Sequence, residues 1–319
     1  MANALRLLVL NHLAQRHLDV LTNAMPHISI QTATLETAAE FAATTDVLAA
    51  WGNMDIRPFY LTAPNLKWVH ALSAGVEKLT FSEIQDSSVI VTNSKGIHGI
   101  PVSEHVLSLM LTFSRGLNLL LRQQQQHVWK RVPTDEIYEK TIGIVGLGSI
   151  GRAIAKKSKA LGMTVLATKR EITSEIFVDK LFAPTQMAEM LAASDYVVVA
   201  LPLTEETNEM FGMEYFRHMK KSAYFINIAR GSVVDEKALI TALEEGLIRG
   251  AGLDVFEEEP LASDSPLWDM PNVIITPHLA AISPYYMDRA VKLLADNLCR
   301  FIQGGEGEMV NVIDKLKGY

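Results

Sequence analysis

The sequence predicts an α/β protein of two domains, each a doubly wound parallel sheet covered by helices. Three observations carry that expectation. Short apolar runs alternate with helically spaced segments along the chain, and the scheme occurs twice. The length, 319 residues, suits about two domains with their own cores. Residues 141–168 read strand, glycine turn, helix, strand.

In the first half, LRLLVL (5–10), ISIQT (28–32), VLAAW (47–51), WVHAL (68–72) and VIVTN (89–93) read as strands, separated by stretches such as LAQRHLDVLTNAM with helical periodicity. Runs this apolar, without polar alternation, fit a sheet buried on both faces. Val102 to Leu121, VSEHVLSLMLTFSRGLNLLL, is apolar on nearly every side. A helix of that kind is buried, and the segment is read as one helix that crosses to the second domain and contributes to a subunit interface. Gln123–Gln126 reads as exposed helix. The second half supplies TIGIVG, TVLAT, YVVVAL, AYFINIA, AGLDVF and VIITP as strands. A last helix, from about Tyr285 to Gln303, crosses back, so the expected domains are 1–100 with 286–319, and 101–285. No repeat of 20 to 50 residues is present, which excludes a solenoid.

Composition bounds the function. Hydrophobic residues at 49% and charged residues at 20% describe a globular chain. The net charge of −7 argues against nucleic acid as a general partner, and an anionic ligand must be drawn by local cations and backbone dipoles. A single cysteine, Cys299, excludes an internal disulfide framework and sits on an apolar helix face. MANALRLLVLNHL lacks the charged and apolar regions of a signal peptide, and no run of about 18 apolar residues occurs. A cytoplasmic protein, with neither a membrane nor a nucleic-acid partner, is expected.

The glycine turn is Gly146-Leu147-Gly148-Ser149-Ile150-Gly151. Within a βαβ unit such glycines permit the tight turn, the approach of backbone to a pyrophosphate, and close helix–sheet packing. The following helix N-terminus offers N–H donors and partial positive charge. A dinucleotide site of the Rossmann type is therefore expected. NAD sites of this kind carry Asp or Glu about 20 residues into the motif; here the position holds Lys169, followed by Arg170. Cations there pair with a 2′-phosphate, arginine through a planar fork. NADP is expected over NAD, while Glu171, turned inward, keeps an NAD route open.

Three charged residues follow strands of the second half: Arg230 after FINIA, Glu259 within DVFEEEPL, and His278 after VIITP. Strand carboxyl ends are where open α/β sheets place ligands. Reducing a 2-keto acid requires a cation for the carboxylate, a proton donor for the carbonyl oxygen, and a hydride source. Arg230 supplies the first and His278 the second; a carboxylate beside the histidine, Glu259, orients it and stabilises its protonated form. Each has a plainer reading, as a loop-paired arginine, a solvated acid in Glu257-Glu258-Glu259, and a packed histidine.

With those residues in place, the chain resembles the D-isomer-specific 2-hydroxyacid dehydrogenases, which include glyoxylate/hydroxypyruvate reductases, phosphoglycerate dehydrogenases and formate dehydrogenases. The likeness covers nearly the whole length and rests on GLGSIG (146–151), LPLTEETNEMF (201–211), NIARGSVVDEKALITALEEGLIRGAGLDVFEEEPL (227–261) and TPHLAAIS (276–283). It implies a Rossmann cofactor domain, a flavodoxin-like substrate domain, and Arg230, Glu259 and His278 as catalytic residues; the homodimer expected rests instead on the buried-looking helix at 102–121. It further implies that the Gly75 and Val76 backbone in SAGVEKL holds the substrate carboxylate, and that Val102 lies near the nicotinamide. Asp254 is expected on the carboxamide, with Pro202, Ile228 and Ala229 lining the cofactor. Thr207 either reaches the pyrophosphate or caps a helix. Lys169 departs from the family's ribose-binding acid, and Ala280 and Ala281 stand where glycines are frequent, narrowing the nicotinamide pocket. Trp51 is a substrate contact or a domain-edge tryptophan. Tyr285 and Tyr286, placed near the active-site strand end, are candidate substrate contacts, and His98 and His105 read as packing residues rather than metal ligands. Two alternatives to a keto-acid reductase stand: a non-enzymatic, dinucleotide-sensing interaction protein, and a dehydrogenase of a formate- or phosphite-like anion. Formate dehydrogenases of this likeness carry glutamine where Glu259 stands.

Overall fold

The computed structural model describes residues 5–316. The chain forms two compact units, Met1–Ile97 with Ser283–Tyr319, and His98–Ile282.

The first unit contains β1 (Arg6–Val9), α1 (Gln15–Ala24), β2 (Ser29–Thr32), β3 (Val47–Ala50), α2 (Arg57–Tyr60), β4 (Trp68–Ala71), α3 (Ser82–Gln85) and β5 (Ile90–Asn93). Its five strands are parallel in the order β2-β1-β3-β4-β5, which is the flavodoxin-like order. Every residue of β3 and β4 is buried, as expected of a sheet covered on both faces. Along β3, Leu48 and Ala50 face one core with Phe59 of α2 and Ile84 of α3, while Val47 and Ala49 face the other with Leu21 of α1. The C-terminal helix completes this second core through Ala290, Val291, Leu294 and Leu298, and Ile313 beyond it donates its N–H to Val91 of β5.

A buried polar chain runs through this unit. Trp68 Nε1–H donates to Thr92 Oγ1 (2.8 Å), which lies 2.8 Å from His70 Nδ1; His70 Nε2 lies 3.2 Å from Ser94 Oγ, which donates to Ala71 O. Ser94 has spent its proton on Ala71 O, so Nε2–H donates to Ser94 Oγ and Nδ1 accepts from the Thr92 hydroxyl, which is the neutral Nε2–H tautomer. Complete burial pushes the imidazole down to about 3. The unfolded chain binds this proton near pH 6.5 and the folded chain does not until about pH 3, so stability falls as pH drops through that window. The expected loss from this group is about 1.4 kcal/mol per pH unit at most, read from urea midpoints at pH 7, 6, 5 and 4; a flat profile would remove His70 as the cause.

The second unit contains α4 (Gly99–Ser114), α5 (Leu117–Gln125), β6 (Thr141–Val145), α6 (Ser149–Ala160), β7 (Thr164–Thr168), β8 (Lys180–Phe182), α7 (Met187–Ala193), β9 (Tyr196–Val199), α8 (Met213–His218), β10 (Tyr224–Asn227), α9 (Glu236–Glu244), β11 (Gly250–Leu253) and β12 (Val273–Ile275). α10 (Tyr286–Gly304) belongs to the first unit. The seven strands are parallel in the order β12-β11-β10-β9-β6-β7-β8. This is the Rossmann order with one added strand, and its direction reverses between β6 and β9, where such folds take their ligands. Alternation sorts the side chains. Ile142 and Ile144 of β6 pack with α4 and α6, whereas Val197 and Val199 of β9 pack with α7, α8 and α9. β8 escapes the sequence reading because three residues at a sheet edge carry no periodicity.

The apolar segment 102–121 is not one buried helix. α4 begins at Gly99 and buries Val102, Val106, Leu109, Met110 and Phe113, each worth roughly 1.5–3 kcal/mol. It stops where Gly116 turns left-handed (φ 65°), a glycine helix terminator. α5, which follows, buries none of its residues, and Leu117, Leu119, Leu120 and Leu121 are exposed. Leucines on both sides hide a glycine whose mid-helix penalty is only about 1 kcal/mol. Among the described residues no helix is long and apolar enough to cross a membrane.

Candidate active site

The carboxyl ends of β6, β7, β10, β11 and β12 gather most of the expected site residues in the second unit. At the end of β6 each glycine has its own physical reason. Gly146 adopts φ 100°, and a Cβ there lies 2.7 Å from Leu201 Cδ2. A Cβ on Gly151 meets Gly146 O at 2.4 Å, so helix and turn pack only with glycine. A Cβ on Gly148 meets nothing within 4 Å; its side faces open space, as a backbone approached by a ligand must. Arg152 N–H donates to Gly148 O, beginning the hydrogen bonding of α6, so the N–H groups of Ser149, Ile150 and Gly151 belong to the unpaired first turn and suit phosphate oxygens. These residues fit a dinucleotide.

The end of β7 is fastened to that turn. Gly146 N–H donates to Thr168 Oγ1 (3.0 Å) and Leu147 N–H to Thr168 O (3.2 Å), which places Lys169 one residue beyond. Lys169 and Arg170 each meet a carboxylate, Lys169 with Glu175 (2.9 Å) and Arg170 with Glu206 (2.6 Å). The carboxylate beside Lys169 is thus Glu175, while Glu171 is exposed.

After β9, Thr207 Oγ1 donates to Pro202 O (2.7 Å) and accepts from Thr204 N–H (2.8 Å). Its hydroxyl braces the 202–207 loop itself. After β10, Asn227 shapes the approach to Arg230. Its Oδ1 accepts from Ala229 N–H (3.1 Å) and its Nδ2 donates to Arg230 O (3.2 Å). Sequence reasoning missed Asn227; an asparagine closing a strand before a turn is the signal that points to it. Arg230 donates to Ala229 O (2.7 Å) and leaves other guanidinium donors available. Next to it, a Cβ on Gly231 falls 1.8 Å from the Phe256 carbonyl, so only glycine lets the Arg230 and Glu259 loops meet.

His278 and Glu259 are paired. His278 Nδ1 lies 2.7 Å from Glu259 Oε2, and Glu259 Oε1 accepts from Phe256 N–H (3.1 Å). A carboxylate only accepts, so Nδ1 carries the hydrogen and Nε2 is the edge available for proton exchange. The side chain of His278 is 46% exposed, enough to meet a ligand. Its backbone is left-handed (φ 50°), an uncommon state for a non-glycine residue that the surrounding hydrogen bonds must hold. Asp254 does much of that holding. It is buried, and it accepts from Thr276 Oγ1 (2.6 Å), Leu279 N–H (3.0 Å) and Ala280 N–H (2.9 Å). His105 reaches the same cluster, 3.1 Å from Thr276 Oγ1 and 3.7 Å from Asp254, and burial holds its imidazole below the usual range against the pull of that carboxylate. Burial does the same to His98, helped by the charge of Arg230. Val102, Ile228 and Ala280 share one buried apolar cluster, and Ala229 is buried with the opposite one. No metal-binding group occurs among the described residues.

In the first unit, Gly75 and Val76 lie on the loop after β4. Ser73 Oγ donates to Gly75 O (2.9 Å) and accepts from Gly52 N–H (2.8 Å), which joins this loop to the one carrying Trp51. Trp51 stacks on Tyr286 with ring centroids 5.6 Å apart. Tyr286 donates its hydroxyl proton to Leu72 O (2.9 Å), and burial pushes that hydroxyl up to about 12. Tyr285 is exposed, with Arg289 over its ring.

Comparison with known proteins supplies a family. Residues 107–280 match the D-isomer specific 2-hydroxyacid dehydrogenase, NAD binding domain. The chain is 35% identical over 252 residues to the glyoxylate reductase of Korarchaeum cryptofilum, an alignment spanning 76% of this chain and 75% of that one. A D-isomer specific 2-hydroxyacid dehydrogenase family protein from Aeromonas salmonicida superposes with a TM-score of 0.86 at 34% identity, covering 98% and 99% of the two chains. The D-isomer specific 2-hydroxyacid dehydrogenase of Xanthobacter autotrophicus, solved with NADPH and MES, superposes with a TM-score of 0.82 at 33% identity, covering 99% and 100%.

Proposed function

Since the chain belongs to the D-isomer specific 2-hydroxyacid dehydrogenase family, NAD(P)-dependent enzymes acting on CH–OH groups, we propose that it reduces a small glyoxylate- or hydroxypyruvate-like 2-keto acid to the D-2-hydroxy acid, with NADPH preferred over NADH. The observation that carries the reading is the His278–Glu259 pair at 2.7 Å, which uses Nδ1 and leaves Nε2 outside it. The glyoxylate reductase relative and the NADPH-bound Xanthobacter structure support the substrate class and the cofactor.

The nicotinamide, when bound, supplies the hydride that adds to the keto carbon. The Ser149, Ile150 and Gly151 amides hold the pyrophosphate, and Lys169 and Arg170 take the 2′-phosphate. Pro202, Ile228 and Ala229 line the dinucleotide, with Val102 and Ala280 near the nicotinamide. Asp254 reaches the carboxamide only with lone pairs left over from the His278 loop. Thr207 acts by shaping the loop behind Pro202. Arg230 binds the substrate carboxylate through its guanidinium; within the first unit, the Gly75 and Val76 N–H groups are the candidate carboxylate donors. Protonated His278 gives its Nε2 proton to the developing alkoxide while Glu259 keeps Nδ1–H and balances the imidazolium. In the reverse direction neutral His278 takes that proton. Within the first unit, Trp51, held against Tyr286, is the candidate contact for the substrate side chain. The carboxylate at 259, where formate dehydrogenases of this likeness have glutamine, favours keto-acid reduction over formate oxidation.

Steady-state reduction of glyoxylate, hydroxypyruvate, pyruvate and phenylpyruvate, each with NADPH and NADH, tests this function. Turnover is expected to be highest with glyoxylate or hydroxypyruvate and NADPH. Cofactor binding without turnover on any acid would leave the dinucleotide-sensing alternative. The exposed leucines of α5, with Trp129 fully exposed shortly after, support a homodimer closed over this apolar surface; light scattering at low micromolar protein reads its mass, and a monomer would reject it.

A further inference from the structure

We propose that Glu175 competes from within the chain for the cations that receive the adenosine 2′-phosphate, and so sets how strongly the protein discriminates NADPH from NADH; this rests on the reading of Lys169 and Arg170 as the 2′-phosphate site. Three cations, not two, stand at the rim of the glycine turn. Arg152 lies in the first turns of α6, one residue past Gly151, and Lys169 and Arg170 follow β7, whose end is tied to the turn through Thr168.

Glu175 engages two of the three. Arg152 meets it with a planar fork, Nε to Oε2 at 3.0 Å and Nη2 to Oε1 at 2.7 Å, and Lys169 Nζ donates to the same Oε1 at 2.9 Å. The Glu175 side chain is only 14% exposed. Those cations pull its carboxyl down to about 2, so it stays ionised throughout the neutral range. Arg170 is paired differently. It and Glu206 are both about three-quarters exposed (73% and 77%), and an exposed pair of that kind is easily opened.

The two cofactors therefore meet different situations. A ribose with a free 2′-hydroxyl leaves the Glu175 pairs intact and finds a carboxylate able to accept its hydrogen bond. A 2′-phosphate brings roughly −1.5 to −2 of charge to the same cations, and it must draw Arg152 or Lys169 away from Glu175 or lie beside a like charge. The family's usual ribose-binding acid is absent from the end of β7, yet an acid reaches that place from six residues further along. Neutralising it frees Arg152 and Lys169 for the phosphate.

The test is equilibrium binding of NADPH, NADH, 2′,5′-ADP and 5′-ADP to the wild type, Glu175→Gln and Glu175→Ala, with thermal unfolding recorded for each. The expected result is a shift of the NADPH-to-NADH affinity ratio by about tenfold toward NADPH in both variants, with 2′,5′-ADP tightening in parallel. An unchanged ratio, or weaker NADPH binding in the variants, overturns the proposal and makes Glu175 a support for the cations. The wild-type ratio separates this outcome from the cofactor preference itself. A wild type that prefers NADH while the variants move toward NADPH rejects the preference and upholds Glu175 as its cause. A wild type that prefers NADPH with variants unmoved does the opposite.

Discussion

Replacing His278 with glutamine is expected to lower kcat for keto-acid reduction by about 10²- to 10⁴-fold, with the binding of NADPH retained. Glutamine preserves size and a donor toward Glu259, but it has no proton to surrender at the Nε2 position. The hydride then adds to a carbonyl whose developing negative charge no acid relieves. Cofactor affinity is expected to be kept because His278 stands on the loop after β12, while the amides proposed for the phosphates belong to α6. Single-turnover and steady-state rates, with an NADPH titration beside them, provide the check. A variant within about threefold of wild type would assign the proton to another group.

Gly231→Ala is expected to cost about 3 kcal/mol or more of stability and to remove most activity with it. The methyl group has nowhere to go, because its position lies 1.8 Å from the carbonyl carbon and oxygen of Phe256, and backbone cannot rotate aside as a side chain can. The 230–231 and 256–259 loops must separate, and they carry Arg230 and Glu259. Glu259 then loses the Phe256 N–H that holds Oε1, and with it the geometry of the histidine pair. Urea unfolding reads the first effect and KM for the keto acid the second. Coincident unfolding curves would show that the loops tolerate a wider approach.

Strands and glycine motifs were legible before any coordinates because their signals are local. Ile142 and Ile144 alternate, Gly146, Gly148 and Gly151 are spaced by one turn and one helix start, and each strand is a run with an obvious end. The same locality explains what was hidden. β8 is three residues at an edge, stabilised by pairing with β7 rather than by its own pattern. The end of α4 at Gly116 was masked by leucines on both sides, and the exposure of α5 is a matter of which neighbours lie beside it, not of its composition. Glu259 and His278 could be singled out by the strand ends they follow. Asn227 and Gly231, which set the Arg230 loop, could not be ranked, since asparagines and glycines after strands are common and their partners lie far along the chain.

By itself the sequence determined the parallel-sheet architecture, the family, the glycine turn and the identity of the charged residues after β10, β11 and β12. Periodicity, residue type and motif spacing are properties of the chain that exist before it folds. Only the tertiary structure decided which charges meet. It put Glu259 on Nδ1 and left Nε2 outside that pair, turned Asp254 onto the amides of the His278 loop, engaged the Thr207 hydroxyl in its own turn, and set Glu175 rather than Glu171 among the cations beyond β7. Electrostatic and hydrogen-bond partnerships act over a few ångströms of space, and distance in sequence carries no information about them once the chain is wound into sheets.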